Sequence, residues 1–391
     1  MSLEQARFLA LHAQGLTDAS AFGLGKPGVL RAVEHLGYVQ IDTISVVERA
    51  HHHVLWTRVP DYRPAWLDEL QTKDTKIFEY WSHAASYLPF RDFRYCLPRM
   101  RACASGKKHW FARDKRAMRM VLDRVRAEGP LAARDFEAPA GVKSGPWFDW
   151  KPAKTALEQL FIEGTLMVRG RKGFQKIYDL AERVLPAGVD TTVPTPKEMA
   201  RFLITSVLRA HGLALEPEMR YLRKGAQATV RAVLKELVHS GEVAEISVAQ
   251  RDGLGFHVLP HVLEAALASF ERAPQTRLRT FHVMSPFDNS VIQRRRVQNI
   301  FGFDYQIECY VPAPKRKYGY FCLPLLADGQ FIGRLDCKAE RKERNLRVYT
   351  ISLEPGIRRF DVSEPAFQQA ITRFAAFNGC STLLFPPKFV R

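Results

Sequence analysis

Hydrophobic and polar positions follow the same pattern in two long stretches of the chain. At 152–180 and again at 227–260, apolar residues with helical spacing end at a glycine, Gly164 or Gly241. An alternating segment, a basic glycine-containing turn and a second alternating segment follow in each stretch. This order predicts the recognition helix and wing of a winged helix-turn-helix. The further helices that the motif needs are predicted upstream, at 114–128, 196–211 and 216–222.

A shorter copy of the pattern lies near the N-terminus, in PGVLRAVEHLGYVQID at 27–42. It predicts a helix with proline at its start, a stop at Gly37 and a strand that begins at Tyr38. Three winged-helix units in series are therefore expected over roughly residues 1–262.

The pattern changes after about residue 276. Short alternating segments are separated there by turn signals such as Asp328-Gly329 and the basic run at 315–317. They predict a small antiparallel sheet or barrel, and PAFQQAITRFAAFNG predicts a terminal helix. The expected fold class is α+β, with tandem winged-helix domains and a C-terminal antiparallel β-barrel. The alternating segments lie at 303–312, 317–327, 331–340 and 347–356, and the predicted domains at 1–100, 112–190, 195–262, 276–360 and 361–391.

Charge narrows the class of partner. The 391 residues include 58 Lys and Arg against 41 Asp and Glu, a formal net charge of +17, which predicts a polyanionic partner. Apolar runs fall short of the roughly 20 residues of a membrane-spanning helix, and the first residues lack a signal-peptide layout. We therefore expect nucleic acid rather than a membrane. The six scattered cysteines predict free buried thiols in a cytosolic protein and no structural zinc site.

The segment YVQID at 38–42 holds the candidate chemistry. On a strand, residues two apart project from one face, so Gln40 and Asp42 would point together while Val39 and Ile41 face the core. A carboxylate beside an amide can hold a water molecule and deprotonate it. The alternative is that Asp42 simply caps the helix that follows.

Four segments resemble the YcaQ/AlkZ family of winged-helix DNA glycosylases, in the same order and over nearly the whole chain. The resemblance implies winged-helix domains and a β-barrel that wrap duplex DNA, excise N-alkylated bases and unhook purine-linked interstrand crosslinks. The family carries a Gln-x-Gln or Gln-x-Asp pair, which here is Gln40 and Asp42. Asp42 places the chain in the Gln-x-Asp group and suggests a broad range of alkyl substrates. The four segments are 36–59, 78–89, 169–186 and 285–326.

The residue types fit the reaction that the resemblance implies. Alkylation at N7 makes the purine a cationic leaving group, so the enzyme must chiefly stabilise the sugar cation and supply water. Asp42 is expected to do both, with Gln40 orienting the water. No lysine is placed as an amine nucleophile, so we expect a monofunctional glycosylase without metal or cofactor. Because a crosslinked base is tied to the opposite strand, we expect an open site on the groove side of the DNA. We also expect the protein to be a monomer in the cytoplasm, associated with the nucleoid.

Three consecutive histidines, His51 to His53, follow the candidate pair. Consecutive residues on a helix point in different directions, which argues against a shared metal ion. If the helix starts near Asp42, His53 lies on the face of Asp42 and Arg49. We expect a polar, DNA-facing helix, with catalytic assistance as the alternative.

Three residues of the segment at 78–89 could line the substrate pocket. They are Tyr80, Trp81 and His83. The alternative for the two aromatic residues is ordinary core packing, and the sequence does not separate the two interpretations.

Basic clusters recur on the predicted wings and turns. A single cluster is most often a solvated face, but the recurrence favours contacts with phosphates. The KRKYG segment at 315–319 is the candidate for the barrel hairpin that the family places against the minor groove, and the run at 294–296 is its competitor. The predicted DNA contacts are Arg49, Arg169, Arg171, Lys172, Arg294, Arg295, Arg296, Lys315, Arg316 and Lys317.

Two other functions are compatible with a basic, multi-domain chain. A winged-helix transcription regulator would bind DNA without catalysis and would be indifferent to Asp42. A structure-specific nuclease would need several convergent carboxylates for divalent metals, and the sequence near residue 42 has no such cluster.

Overall fold

The computed structural model describes residues 1–106, 113–136, 152–223, 225–272, 280–357, 360–387 and 390. The chain forms two compact units. We call Met1–Tyr62 with Ala200–Arg391 the split unit, because two separate stretches build it, and Arg63–Met199 the middle unit. Both units contain helices and strands, so the predicted α+β class is confirmed.

The first stretch of the split unit is mainly helical. Its elements are α1 (Leu3–Ala13), α2 (Gly25–Leu36), β1 (Val39–Gln40) and α3 (Ala50–Trp56). Helix α1 starts at a capping box, in which Ser2 Oγ accepts from the Gln5 backbone N–H and the Gln5 side chain reaches back to Ser2. Helix α2 ends at Gly37, whose φ of 76° is the left-handed conformation that glycine adopts without strain. The predicted helix and its stop are confirmed.

The middle unit contains the first long copy of the sequence pattern. Its elements are α4 (Pro64–Thr72), β2 (Ile77–Trp81), β3 (Ala85–Pro89), α5 (Leu97–Ala104), α6 (Lys115–Glu128), β4 (Leu131–Ala132), α7 (Pro152–Ile162), β5 (Leu166–Lys172), β6 (Gln175–Leu180) and α8 (Ala181–Val184). Strands β5 and β6 form an antiparallel hairpin whose turn is Gly173-Phe174, and β4 pairs with β6 in the order β4-β6-β5. The predicted helix, strand, turn and second strand are all present.

The second long copy opens the other stretch of the split unit. Its elements are α9 (Pro196–His211, which starts just before this stretch), β7 (Leu213–Ala214), α10 (Glu216–Met219), α11 (Gln227–His239), β8 (Ala244–Ile246), β9 (Phe256–Val258) and α12 (Pro260–Arg272). The three strands form a sheet in the order β7-β9-β8, the same relative order as in the middle unit. Both upstream helices predicted from the sequence are present, and the second of them is the short α10.

A five-stranded sheet dominates the C-terminal part of the split unit. Its elements are β10 (Phe281–Val283), α13 (Arg294–Phe301), β11 (Leu323–Ala327), β12 (Gln330–Glu340), β13 (Asn345–Leu353), α14 (Pro365–Phe377) and β14 (Thr382–Leu384). The strands follow the order β10-β11-β12-β13-β14, so the sheet has two edges among the described residues. Asp328-Gly329 forms the predicted tight turn, with positive φ at both residues. The predicted terminal helix, α14, packs the buried Phe367 and Phe374 into the core of this sheet.

One predicted strand is wrong. Residues 302–322, all of which the structure describes, contain no strand, although 303–312 alternates. Side chains satisfy the backbone locally instead: the buried Tyr305 donates its hydroxyl to the Cys322 carbonyl at 2.6 Å, and the Glu308 carboxylate accepts backbone N–H groups further along. Such side-chain bonds compete with a strand ladder for the same backbone groups.

The prediction that the cysteines are buried is wrong for Cys96, Cys103 and Cys309, which are half-buried. All six cysteines are free thiols, and Cys322, Cys337 and Cys380 are buried. None of the helices in the described part of the chain has the length and apolar character that crossing a bilayer requires.

Candidate active site

Asp42 lies just past the end of a very short strand. Strand β1 stops at Gln40, so the prediction that one strand face carries both side chains is wrong. Asp42 Oδ1 accepts the backbone N–H of Ile44 at 2.7 Å, which makes a tight turn. The helix-capping alternative is also wrong, because helix α3 begins eight residues later, with Arg49 at its N-cap.

The carboxylate of Asp42 is half-buried and only partly engaged. Burial raises its pKa, and the hydrogen bond from Ile44 offsets this only in part. Its other oxygen, Oδ2, accepts no hydrogen bond from the described residues. The raised pKa makes Asp42 a stronger base than an exposed aspartate, and one of its oxygens is available for water or substrate.

Gln40 is held more tightly than Asp42. It is 7% exposed, between the buried Val39 and Ile41. A side chain that is mostly enclosed keeps its orientation, so Gln40 can position a partner but offers little surface to it. The pair thus consists of a fixed amide and a more accessible carboxylate two residues later.

The segment from Asp42 to Arg49 is fixed on the C-terminal sheet. The backbone N–H of Ala339 in β12 donates to the Val46 carbonyl at 2.9 Å, and the Glu48 backbone N–H donates to Asn378 Oδ1 at 2.6 Å. These long-range contacts attach the irregular segment to β12 and to the end of α14. They also explain why the helix starts at Ala50 rather than near Asp42.

The histidine run does not form the expected DNA-facing surface. His53 is 1% exposed, its Nε2–H donates to the Val283 carbonyl at 2.8 Å, and its ring packs on Phe374. Burial lowers its pKa to about 4, so the ring is neutral at physiological pH. His51 is buried too, and His52 shares a 2.7 Å hydrogen bond with the Tyr62 hydroxyl. The condition under which His53 would share a helix face with Asp42 is not met, because α3 begins at Ala50 and not near Asp42.

Arg49 and the three candidates in the segment at 78–89 are all half-buried or buried. Arg49 is half-buried at the start of α3. In the middle unit, Tyr80 is buried and donates its hydroxyl to the Ile162 carbonyl at 2.7 Å, which favours core packing. Trp81 is half-buried under the Arg99 guanidinium, and His83 is half-buried in the turn between β2 and β3.

The β5–β6 hairpin of the middle unit uses one of the predicted phosphate contacts internally. Arg171 donates from Nε and Nη2 to the two carboxylate oxygens of Glu79, each at 2.7 Å, and lies over the Phe174 ring. It is a structural ion pair. Arg169 is exposed with one 3.2 Å contact to Asp179, and Lys172 is exposed at the hairpin tip, so these two remain available to DNA.

The arginine run at 294–296 is likewise largely internal. Arg294 donates to the carbonyls of Pro286 and Val291, and its guanidinium lies over the Tyr305 ring. Arg296 is 4% exposed and pairs with Glu218 at 2.9 Å. These two are structural rather than DNA-facing. Arg295 is exposed.

The basic run at 315–317 lies on a loop that sequence reasoning described only in part. The carboxylate of the buried Glu308 accepts the backbone N–H groups of residues 317–319, at 2.9, 2.8 and 3.2 Å. Arg316 Nε donates to the Val311 carbonyl at 2.8 Å, while Lys315 and Lys317 are exposed. We call residues 308–320 the Glu308 loop. It is a loop and not the predicted hairpin, since it contains no strand.

Tyr310 is a site residue that the sequence analysis missed. Burial first, and then the charge of Asp42, raises the pKa of both Cys309 and Tyr310, so both lie within electrostatic range of the carboxylate. Cys309 and Ile44 also pack against the same hydrophobic core. An aromatic residue amid an alternating segment carries no signal of this role, because the segment folds as a loop.

The described residues do not assemble any group of three or more His, Cys, Asp or Glu side chains that could hold a metal ion. The candidate site consists of the half-buried Asp42 carboxylate and the enclosed Gln40 amide, with Tyr310 near enough to Asp42 to interact with its charge.

Comparison with known proteins identifies relatives of the whole arrangement. A family model described as DNA glycosylase AlkZ-like matches residues 33–377, which is most of the chain. Among solved structures, the Streptomyces sahachiroi DNA glycosylase AlkZ matches with a TM-score of 0.65 at 17% identity, over 100% of both chains. At that identity the structural likeness shows the fold.

Proposed function

The chain belongs to the AlkZ-like DNA glycosylase family, and we propose that it is a monofunctional glycosylase for N7-alkylated purines in duplex DNA that also unhooks purine-linked interstrand crosslinks. The observation that carries this proposal is the half-buried Asp42 carboxylate, with a raised pKa and one oxygen available, beside the enclosed Gln40.

In the proposed reaction the C1′–N9 bond breaks first. The bonding electrons leave with the purine, whose positive charge they neutralise, and the sugar becomes an oxocarbenium-like cation. A carboxylate about 4 Å from that cation contributes roughly 4 kcal/mol at an effective dielectric near 20. This corresponds to about three powers of ten in rate.

Water then completes the reaction. Asp42 takes a proton from the water as its oxygen bonds to C1′, and Gln40 orients that water through its fixed amide. The product is an abasic site with the strand intact, since no amine forms a covalent intermediate with the sugar. The raised pKa makes Asp42 a better proton acceptor than an exposed aspartate.

We further propose how DNA is held. Helix α7 with the β5–β6 hairpin, and α11 with β8 and β9, act as winged-helix modules, while the five-stranded sheet forms the wall of the barrel that the family relationship suggests. The exposed cations at the wing tip and on the Glu308 loop contact phosphates sequence-independently. The enzyme acts as a monomer, at an open site, in the cytoplasm at the nucleoid. The proposed phosphate contacts are Arg169, Lys172, Lys315 and Lys317.

The test compares wild type with Asp42→Asn on duplex DNA that contains N7-methylguanine, in EDTA. We expect free base and abasic sites without strand breaks from the wild type, and a rate lower by roughly 10²–10⁴-fold in the variant. Asp18→Asn is the matched control, because Asp18 Oδ1 also accepts the N–H two residues later, at 2.8 Å, but is exposed.

Two outcomes would overturn the proposal. Wild type that binds DNA but releases no base, from either this duplex or a crosslinked one, would indicate a non-catalytic regulator. Equal rates in wild type and Asp42→Asn would remove Asp42 from the reaction.

A further inference from the structure

Tyr310 is exposed to an unusual degree. Among the large hydrophobic side chains that the structure describes it has the greatest exposure, at 73%. An isolated exposed apolar side chain is common and needs no explanation by itself. The position of Tyr310 beside the reacting carboxylate is what distinguishes it.

The loop that carries Tyr310 is fixed at its base. Glu308 holds three consecutive backbone N–H groups, and Arg316 closes the loop through the Val311 carbonyl while its guanidinium covers the Tyr320 ring at 4.9 Å. Charge-assisted bonds of this kind are roughly twice as strong as neutral ones. Tyr310 is therefore presented to solvent on a preorganised support, which lowers the entropy lost when it contacts a ligand.

The same loop is anchored next to Asp42. Ile307 and Cys309, on the side of Tyr310 nearer the N-terminus, pack on the core that also takes Ile44 and Val46. Asp42 is close enough to influence the ionisation of both Cys309 and Tyr310. A base whose C1′ reaches the Asp42 carboxylate is therefore held in the same part of the split unit as the exposed Tyr310 ring.

The chemistry of this pair selects a particular kind of base. The face of an aromatic ring attracts cations, and a half-buried carboxylate does so more strongly still. An N7-alkylated purine is flat and cationic, whereas an undamaged purine is flat and neutral. We propose that Tyr310 is a specificity-determining residue that stacks on the cationic purine and distinguishes it from an undamaged base by charge.

This inference rests on the proposed function and extends it to recognition. Stacking on an exposed ring needs no deep pocket, which suits a base still tied to the opposite strand. It also accommodates alkyl groups of different size, because the ring reads the charge and the plane of the purine.

The experiment measures binding, so that it is independent of catalysis. The probes are two duplexes that contain 2′-fluoro-N7-methyldeoxyguanosine or 2′-fluorodeoxyguanosine, because the fluorine slows glycosidic cleavage while the first base stays cationic. The readout is the ratio of the two Kd values at one salt concentration. We expect wild type and Tyr310→Phe to prefer the cationic duplex by about 3- to 30-fold, and Tyr310→Leu to lose that preference.

The control is Tyr349→Leu, which removes another exposed tyrosine, on β13 of the same unit. Its ratio should equal that of wild type. A full preference in Tyr310→Leu, or none in wild type, would overturn the stacking role and leave the glycosylase proposal standing. A preference that depends on Tyr310, in a wild type that releases no base from the unfluorinated duplex, would instead overturn the glycosylase proposal.

Discussion

Two short basic runs, alike in sequence, have opposite environments in this protein. Arg294 to Arg296 lie on α13, where two of the three side chains turn inward. Lys315 to Lys317 lie on the Glu308 loop, where the two lysines face solvent and Arg316 alone folds back. Both runs are equally good candidates for DNA contacts on the basis of charge.

The difference comes from the acceptors available to each run. Around α13, the Glu218 carboxylate and the carbonyls at the end of α9 and in β7 converge on Arg296, and the planar guanidinium can satisfy several of them at once. In the Glu308 loop the carboxylate of Glu308 accepts backbone N–H groups instead, and the side chains of Lys315 and Lys317 are exposed. A charge run thus indicates a surface only where the fold lacks buried acceptors for it.

The largest expected effect is a loss of stability when Arg296, in the inward-facing run at 294–296, is replaced. Arg296→Met leaves the buried Glu218 with an uncompensated charge, and we expect the free energy of unfolding to fall by about 3–5 kcal/mol. The double variant with Glu218→Leu should recover part of that loss, because it removes both charges. Urea unfolding followed by circular dichroism measures each value.

Arg295→Met is the matched control in the same helix. Its side chain is exposed, so the free energy of unfolding should change by no more than about 0.5 kcal/mol. Similar losses for Arg295→Met and Arg296→Met would contradict the distinction between inward and outward arginines.

A smaller loss of stability is expected when Glu308, which holds the loop that carries Lys315 and Lys317, is replaced. Glu308→Gln keeps the shape of the side chain but removes the charge that the three N–H groups bind, and should lower the free energy of unfolding by about 1–2 kcal/mol. Burial raises the pKa of Glu308, the three hydrogen bonds lower it by more, and the net pKa is lowered.

The sign of the pH dependence follows from that lowered pKa. The carboxylate's contribution is fully present above the pKa of an unfolded glutamate, near 4.3, and is lost as pH falls through the lower folded value. The difference between wild type and Glu308→Gln in urea titrations should therefore shrink below about pH 4. A difference that grows toward acid would contradict the assignment.

Local signals in the sequence account for most of the fold and for part of the site. Helices α7, α11 and α14 were predictable, because apolar spacing and glycine stops are encoded within a dozen residues. The irregular course from Asp42 to Arg49 was not, because bonds to Ala339 and Asn378, some 300 residues away, hold it in place. For the same reason the inward turn of His53 and Arg296 has no local signature. The two-residue spacing of Gln40 and Asp42 made them candidates, and the family resemblance then assigned them a role.

The smallest expected effect is on the salt dependence of DNA binding, and it tests whether Lys315 and Lys317 contact phosphates. Each lysine that neutralises a phosphate releases a counterion, so Lys315→Met and Lys317→Met should each reduce the slope of log affinity against log salt by about 0.9. Stability should stay within about 0.5 kcal/mol of wild type, because both side chains are exposed. Fluorescence anisotropy with an undamaged duplex, across a salt series, gives the slopes. Arg295→Met serves as comparator: a reduced slope there, with none for either lysine, would place α13 rather than the Glu308 loop against DNA.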